Sequence, residues 1–189
     1  IQPRAGEKYG SLPFPTLRAM GKASKEIRLN VEHIKRQMRG LRLDFVPNTP
    51  TIAAGGQVYR AAGHDAEARA LFAKPDKEYD WAAWLNMLIE ELLVTDAVTL
   101  YPVYKMGKLF KLRIIDGTTI RPFLDYAGTR PEPPAPAYGQ ILYGRMSSWY
   151  NANQLIYKPL NTKVYSPYGE SPIEWIILAI NTAIRHDLQ

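Results

Sequence analysis

A chain of 189 residues with 46% hydrophobic and 22% charged residues has the composition of a globular protein, long enough for one ordinary domain with a sizeable core. It holds no cysteine, which excludes disulfides, thiolate metal sites and a cysteine nucleophile within these residues. Net charge is +6 and unevenly placed: through Leu43, ten Lys or Arg stand against Glu7, Glu26 and Glu32, so the remainder is close to neutral.

No signal-peptide pattern is visible, and no apolar run approaches the ~18 residues of a spanning helix. The chain starts at Ile1 and stops at Gln189 inside a helical pattern, so it reads as a piece of a longer polypeptide.

Residues 1–16 carry Pro3, Pro13 and Pro15 with Gly6 and Gly10, and residues 1–23 are expected to be an extended arm with at most one helical turn over Thr16–Gly21. Ser24 can cap a helix to about Arg39, with Ile27, Val31, Ile34 and Met38 at helical spacing and Gly40 as its stop. Leu41–Val46 alternates apolar and charged residues as a half-buried strand does, and Thr51–Gly63 reads as loop. Asp65–Phe72 predicts a short helix, followed by a Lys74-Pro75-Asp76 turn.

Asp80 then caps the most clearly patterned helix. Trp81, Trp84, Leu85, Leu88, Ile89, Leu92 and Leu93 form one wide stripe expected to be core. After Asp96 the period becomes two. Ala97–Lys105 and Lys108–Asp116 predict a hairpin about Met106-Gly107, and Thr118–Leu124 a third strand. Tyr126–Tyr138 holds four prolines and reads as a stiff exposed loop. Gln140–Arg145 and Leu155–Leu160 are further strands, with Met146–Asn153 between them.

The stretch from Tyr165 to Ile177, YSPYGESPIEWII, is the most fully specified. Tyr168-Gly169 makes a turn, Ser171 suits an N-cap, Pro172 the first helical position and Glu174 the carboxylate of a capping box. Ile173, Ile176, Ile177, Ile180 and Ile184 would give the helix one apolar face. The fold class expected from all this is α+β, helices packed on a mostly antiparallel sheet.

Catalytic patterns are sparse. Neither Gly21-Lys22 nor Gly107-Lys108 has the glycine spacing and Ser/Thr of a phosphate loop, and there is no Gly-x-Ser-x-Gly elbow. His33, His64 and His186 are scattered without metal-ligand spacing. No catalytic, metal or cofactor residue is assigned. Asp80, Glu90, Glu91, Asp96, Asp116 and Asp125 are acids that Mg²⁺-dependent nuclease chemistry could use, and equally ordinary caps and turn formers. Tyr138, Tyr143, Trp149, Tyr150, Tyr157, Tyr165 and Tyr168 could stack on bases or line sheet edges and subunit contacts. Lys25, Arg28, Lys35, Arg36 and Arg39 are the candidate contacts to nucleic acid or to an acidic partner, against the plain reading of a solvated helix face.

The order of these pieces resembles the N-terminal part of tailed-bacteriophage portal proteins. The resemblance is carried by the helix and hairpin through AVTLYPVYKMGKLFKLRIIDGTTIRPFLD, by NQLIYKPLNTKVYSPYGESPIEWII, and most specifically by Tyr168-Gly169-Glu170-Ser171-Pro172-Ile173-Glu174. It implies a wing-like domain over 24–189, with stem, clip and crown beyond it. It further implies a non-enzymatic head-tail connector forming a ring of twelve subunits at a capsid vertex of the virion, assembled in the host cytoplasm. Its implied partners are the major capsid protein, terminase, head-completion or adaptor proteins and double-stranded DNA, with no membrane. A Mg²⁺-dependent nucleic-acid-processing enzyme and a basic DNA-binding module are the alternatives.

Overall fold

The computed structural model describes residues 12–41, 43–45, 62–164 and 166–177, with short paired strands at 4–5, 51–52 and 58–59. Two helices open the main body, α1 (Phe14–Ala23) and α2 (Lys25–Arg39). Ser24 serves both: its N–H closes α1 onto the Met20 carbonyl at 3.0 Å, and its hydroxyl accepts from Ile27 N at 3.3 Å to cap α2. Residues 14–23 are therefore helix, not extended arm. Pro15 falls in the first turn, where a missing N–H costs nothing. Phe14 and Leu17 then lie one turn apart and enter the core, Leu17 with no exposed surface.

The strand expected over Leu41–Val46 is not formed at its described positions; Leu41 and Leu43 are exposed there. An alternating pattern makes a strand only where a neighbouring edge accepts its hydrogen bonds. Arg42 and Val46 lie outside the described residues. Within the presumed loop, β2 (Thr51–Ile52) pairs antiparallel with β3 (Val58–Tyr59), and α3 (Ala62–Ala73) begins earlier than expected.

α4 (Trp81–Thr95) is capped by Asp80, whose carboxylate accepts from Ala83 N at 2.8 Å. Phe72 meets Trp81 edge-on at 5.6 Å, and Trp81 stacks on Trp84 at 5.7 Å, which holds α3 to α4. Trp84 Nε1 donates to the Leu112 carbonyl at 3.2 Å and ties α4 to the sheet. The apolar stripe of α4 does not all enter the core. Trp84 and Ile89 are buried, but Leu85, Leu88 and Leu92 are half-buried. With Met38, Val98 and Leu160 they line an open apolar groove of about 410 Å³.

The strands form two larger sheets, where one had been expected. β4 (Val98–Lys105) pairs antiparallel with β5 (Lys108–Ile114) and with β9 (Ile156–Lys158), in the order β5-β4-β9. The second sheet runs β1 (Arg4–Ala5), β6 (Ile120–Leu124), β7 (Tyr138–Leu142), β8 (Arg145–Tyr150), also antiparallel. The chain changes sheet at a short 3-10 turn, Gly117–Thr119, capped by Asp116 through Thr118 N at 2.9 Å. Residues 146–150, expected between strands, are β8. Tyr143 and Gly144 have φ of 52° and 75°, as Met106 and Gly107 have 52° and 75°. Two successive residues of positive φ are what a tight hairpin turn requires.

The fold is α+β, with helices against mostly antiparallel sheets. α1, α2 and α4 pack on one another. The core they share with both sheets includes Phe14, Leu17, Ile27, Val94, Ile120, Tyr138, Leu155, Tyr157, Tyr168 and Ile173. Leu17→Ala should cost about 3 kcal/mol in urea unfolding, the range for a buried Leu truncation; an unchanged midpoint would mean that α1 is not part of the core.

Candidate functional site

The YGESP turn meets the end of α4 at a buried polar junction. Asp96, just past that helix, takes a left-handed conformation (φ 51°, ψ 38°) and has no exposed surface. Its carboxylate accepts from Leu160 N at 2.8 Å and Asn161 N at 2.9 Å. Gly169 lies against it: a Cβ there would come within 1.8 Å of Asp96 Oδ2. Gly169 is needed for that close approach. Asn161 and Glu170 exchange two hydrogen bonds, N–H of Glu170 to the Asn161 carbonyl at 3.1 Å and Asn161 Nδ2 to the Glu170 carbonyl at 3.0 Å.

Ser171 completes the junction. Its buried hydroxyl accepts from Ile173 N at 3.1 Å and donates to the Val94 carbonyl at 2.8 Å. One side chain thus caps the start of α5 (residues 172–177 as described) and satisfies a carbonyl at the end of α4. Pro172 is half-buried at the first helical position, and Glu174 is buried in the first turn, where the helix dipole favours a carboxylate. Tyr168 packs edge-on to Phe14 at 5.9 Å; burial pushes its phenol pKa up, against the nearby Arg121. Of the apolar face expected for α5, Ile173 is buried and Ile177 half-buried, but Ile176 and Trp175 are exposed. Tyr165, Ile180, Ile184 and His186 lie outside the described residues.

The acids weighed for metal chemistry are engaged in structural roles. Arg18 of α1 reaches Glu91 on α4 at 2.9 Å and Asp116 at 2.6 Å. Burial raises the Glu91 pKa, with Arg18 opposing. Burial also pushes Asp116 upward, but hydrogen bonds from Thr118 and Arg18 outweigh it and leave its pKa lowered. Asp125 closes its own turn, accepting from Ala127 N and Thr129 N at 2.9 and 2.8 Å. Glu90 pairs with Lys35. Among the described residues no three His, Asp or Glu are grouped to hold a metal ion, and no helix is long and apolar enough to cross a membrane.

Of the basic candidates, Lys25, Arg28, Arg36 and Arg39 are exposed on α2, at helical spacing along one stripe. Lys35 is not available to a partner: it is buried and paired with Glu32 at 3.0 Å and Glu90 at 2.5 Å. The aromatic cluster also divides. Tyr138, Tyr157 and Tyr168 are core, Tyr150 is half-buried, and Tyr143 and Trp149 are exposed. Sequence reasoning named Asp96 only as one acid among several, and missed Arg18 and Asn161. Their partners lie far along the chain (64 residues for the Asp96–Leu160 bond), so no local pattern announces them.

No family model and no curated protein matches the sequence. Solved structures do. A chain from the neck of an empty gene transfer agent (GTA) particle, computed with C6 symmetry, superposes with a TM-score of 0.66 at 15% identity, over 95% of this chain and 44% of that one. The fold is shared. A chain of the native GTA virion gives 0.66 at 16% identity over 94% and 44%, and the native neck computed with C12 symmetry gives 0.64 at 15% over 95% and 43%. At these identities the likeness is one of fold, and the present chain spans less than half the length of the chains it matches.

Asp96→Asn replaces one acceptor with a donor facing two backbone N–H groups, and should cost on the order of 2 kcal/mol; a variant as stable as wild type would remove Asp96 from the centre of the junction. Gly169→Ala should also destabilise, because the atom it must displace is a buried carboxylate oxygen. Because the folded-state pKa of Asp116 is depressed, its contribution is complete above the ordinary value of 3.8 and fades as pH falls further. The stability gap between wild type and Asp116→Asn, followed by thermal unfolding, should narrow over that acid window.

Proposed function

We propose that this chain is the wing-like part of a structural subunit in a particle neck, a portal-type ring at the junction of head and tail. The observation that carries the proposal is the superposition of 95% of the chain on a neck chain of a GTA particle. Symmetric necks of that particle, computed as C6 and C12, support a ring assembly for this protein too, with twelve subunits as the expected number. The order of sequence motifs ending in Tyr168–Glu174 supports the portal reading over other neck components.

In this role the protein carries no reaction. Asp80, Glu90, Glu91, Asp96 and Asp116 serve caps, ion pairs and the turn junction. Rigidity is the useful property. The exposed apolar groove beside α4 suits a chain that packs against others in an assembly. Double-stranded DNA would pass through the ring during packaging and ejection. Capsid protein, terminase and head-completion proteins would dock around it, with Lys25, Arg28, Arg36 and Arg39 as candidate contacts to capsid or DNA.

Native mass spectrometry and electron microscopy of the full-length protein test this directly. Closed rings of about twelve subunits are expected. A monomer at every concentration and salt tried, or Mg²⁺-dependent DNA cleavage lost in Asp116→Asn, would overturn it.

A further inference from the structure

We propose that the β4–β5 hairpin is a sequence-independent contact for the phosphate backbone of duplex DNA, a site separate from the α2 stripe. From Val98 to Ile115 the chain carries Lys105, Lys108, Lys111 and Arg113, and no Asp or Glu. Lys105 and Lys108 stand directly opposite each other across the strands that flank the tight turn. Like charges so placed destabilise a sheet. Lys77, from the loop before α4, adds a third cation: its Nζ lies 5.4 Å from the Phe110 ring centroid, and that of Lys105 5.6 Å.

Two ammonium groups at one phenyl ring, with Lys108 across the strands from one of them, repel one another unless an anion is supplied. Glu67 on α3 supplies part of it, its carboxylate 2.7 Å from Lys108 Nζ. Both members of that pair are exposed, where an ion pair is weak and easily exchanged. A cleft of about 500 Å³ opens between α3 and the hairpin, lined by Glu67, Lys77, Lys108, Leu109 and Phe110. A backbone phosphate at its mouth meets the Lys77 and Lys108 ammonium groups.

The aromatic ring decides which polyanion. The Phe110 ring holds the Lys77 and Lys105 ammonium groups by cation–π attraction, so a base stacking on it would have to displace them. A site of this kind offers charge without a stacking platform, and so fits the regular phosphate backbone of a duplex better than unpaired bases. Nothing in it reads a base edge, so binding is expected to be independent of sequence.

Binding of the full-length protein to a labelled random-sequence duplex, measured by fluorescence anisotropy across a salt series, tests the assignment. Changing Lys77, Lys105 and Lys108 together to Gln should reduce the slope of log affinity against log salt by about two to three, since each phosphate contact contributes about 0.9. Glu67→Gln removes the competing carboxylate and should tighten binding about twofold, which no misfolded variant would do. An unchanged slope in a triple variant of native circular dichroism overturns the proposal. So does unaltered or weaker binding by Glu67→Gln, and so does loss of all salt dependence on neutralising Lys25, Arg28, Arg36 and Arg39 with the hairpin intact. The site does not rest on the neck assembly. Measuring ring formation of the same variants separates the two, because rings with an unaltered slope remove the hairpin site alone.

Discussion

A carboxyl group taken wholly out of water is costly to bury unless hydrogen-bond donors meet it. Asp96 has no exposed surface and meets that condition with backbone N–H groups from Leu160 and Asn161. Those donors belong to the segment that follows β9, so the two hydrogen bonds fix the path of the chain into the YGESP turn. The same carboxylate leaves room for no side chain at residue 169. Ser171, one step further, ties the new helix to the Val94 carbonyl at the end of the old one. Two helices distant in sequence are thereby joined end to start through a few hydrogen bonds.

Around this junction the remaining charges act as ties between elements. Arg18 links α1 to α4 and to the 3-10 turn through Glu91 and Asp116, and Lys35 links α2 to α4 through Glu90. Ion pairs that are partly buried and bridge separate elements resist sliding, though they add modestly to stability. The result is a helical layer locked to two sheets whose edges and hairpin tips face outward. The interior is fixed, and apolar and basic surfaces are left exposed.

Much of the local structure was legible in the sequence. The Asp80 and Ser24 caps, the Met106-Gly107 turn and the period-two strands follow from neighbours within a few residues, and each is present. The failures share a cause. Leu41–Val46 has the alternation of a strand, but no partner edge takes it up at the described positions. Residues 14–23 read as an arm because prolines suggested breakage, yet a proline in a first turn breaks nothing, and Phe14 and Leu17 found a core to enter. The stripe of α4 was read as wholly buried because periodicity shows which residues share a face, not how wide the covering layer is.

The sequence by itself determined the class of the elements, the turn-and-cap chemistry of Tyr168–Glu174 and the poverty of catalytic motifs, because these depend on contacts a few residues apart. Only the tertiary structure decided that Asp96 is the anchor of that turn, that Lys35 is spent in ion pairs, and that the strands divide into two sheets. It also brought Lys77 and Lys105 to one ring, with Lys108 opposite Lys105. Each of those outcomes depends on which distant group comes within hydrogen-bond or Coulomb range, and that is set by packing, not by order along the chain.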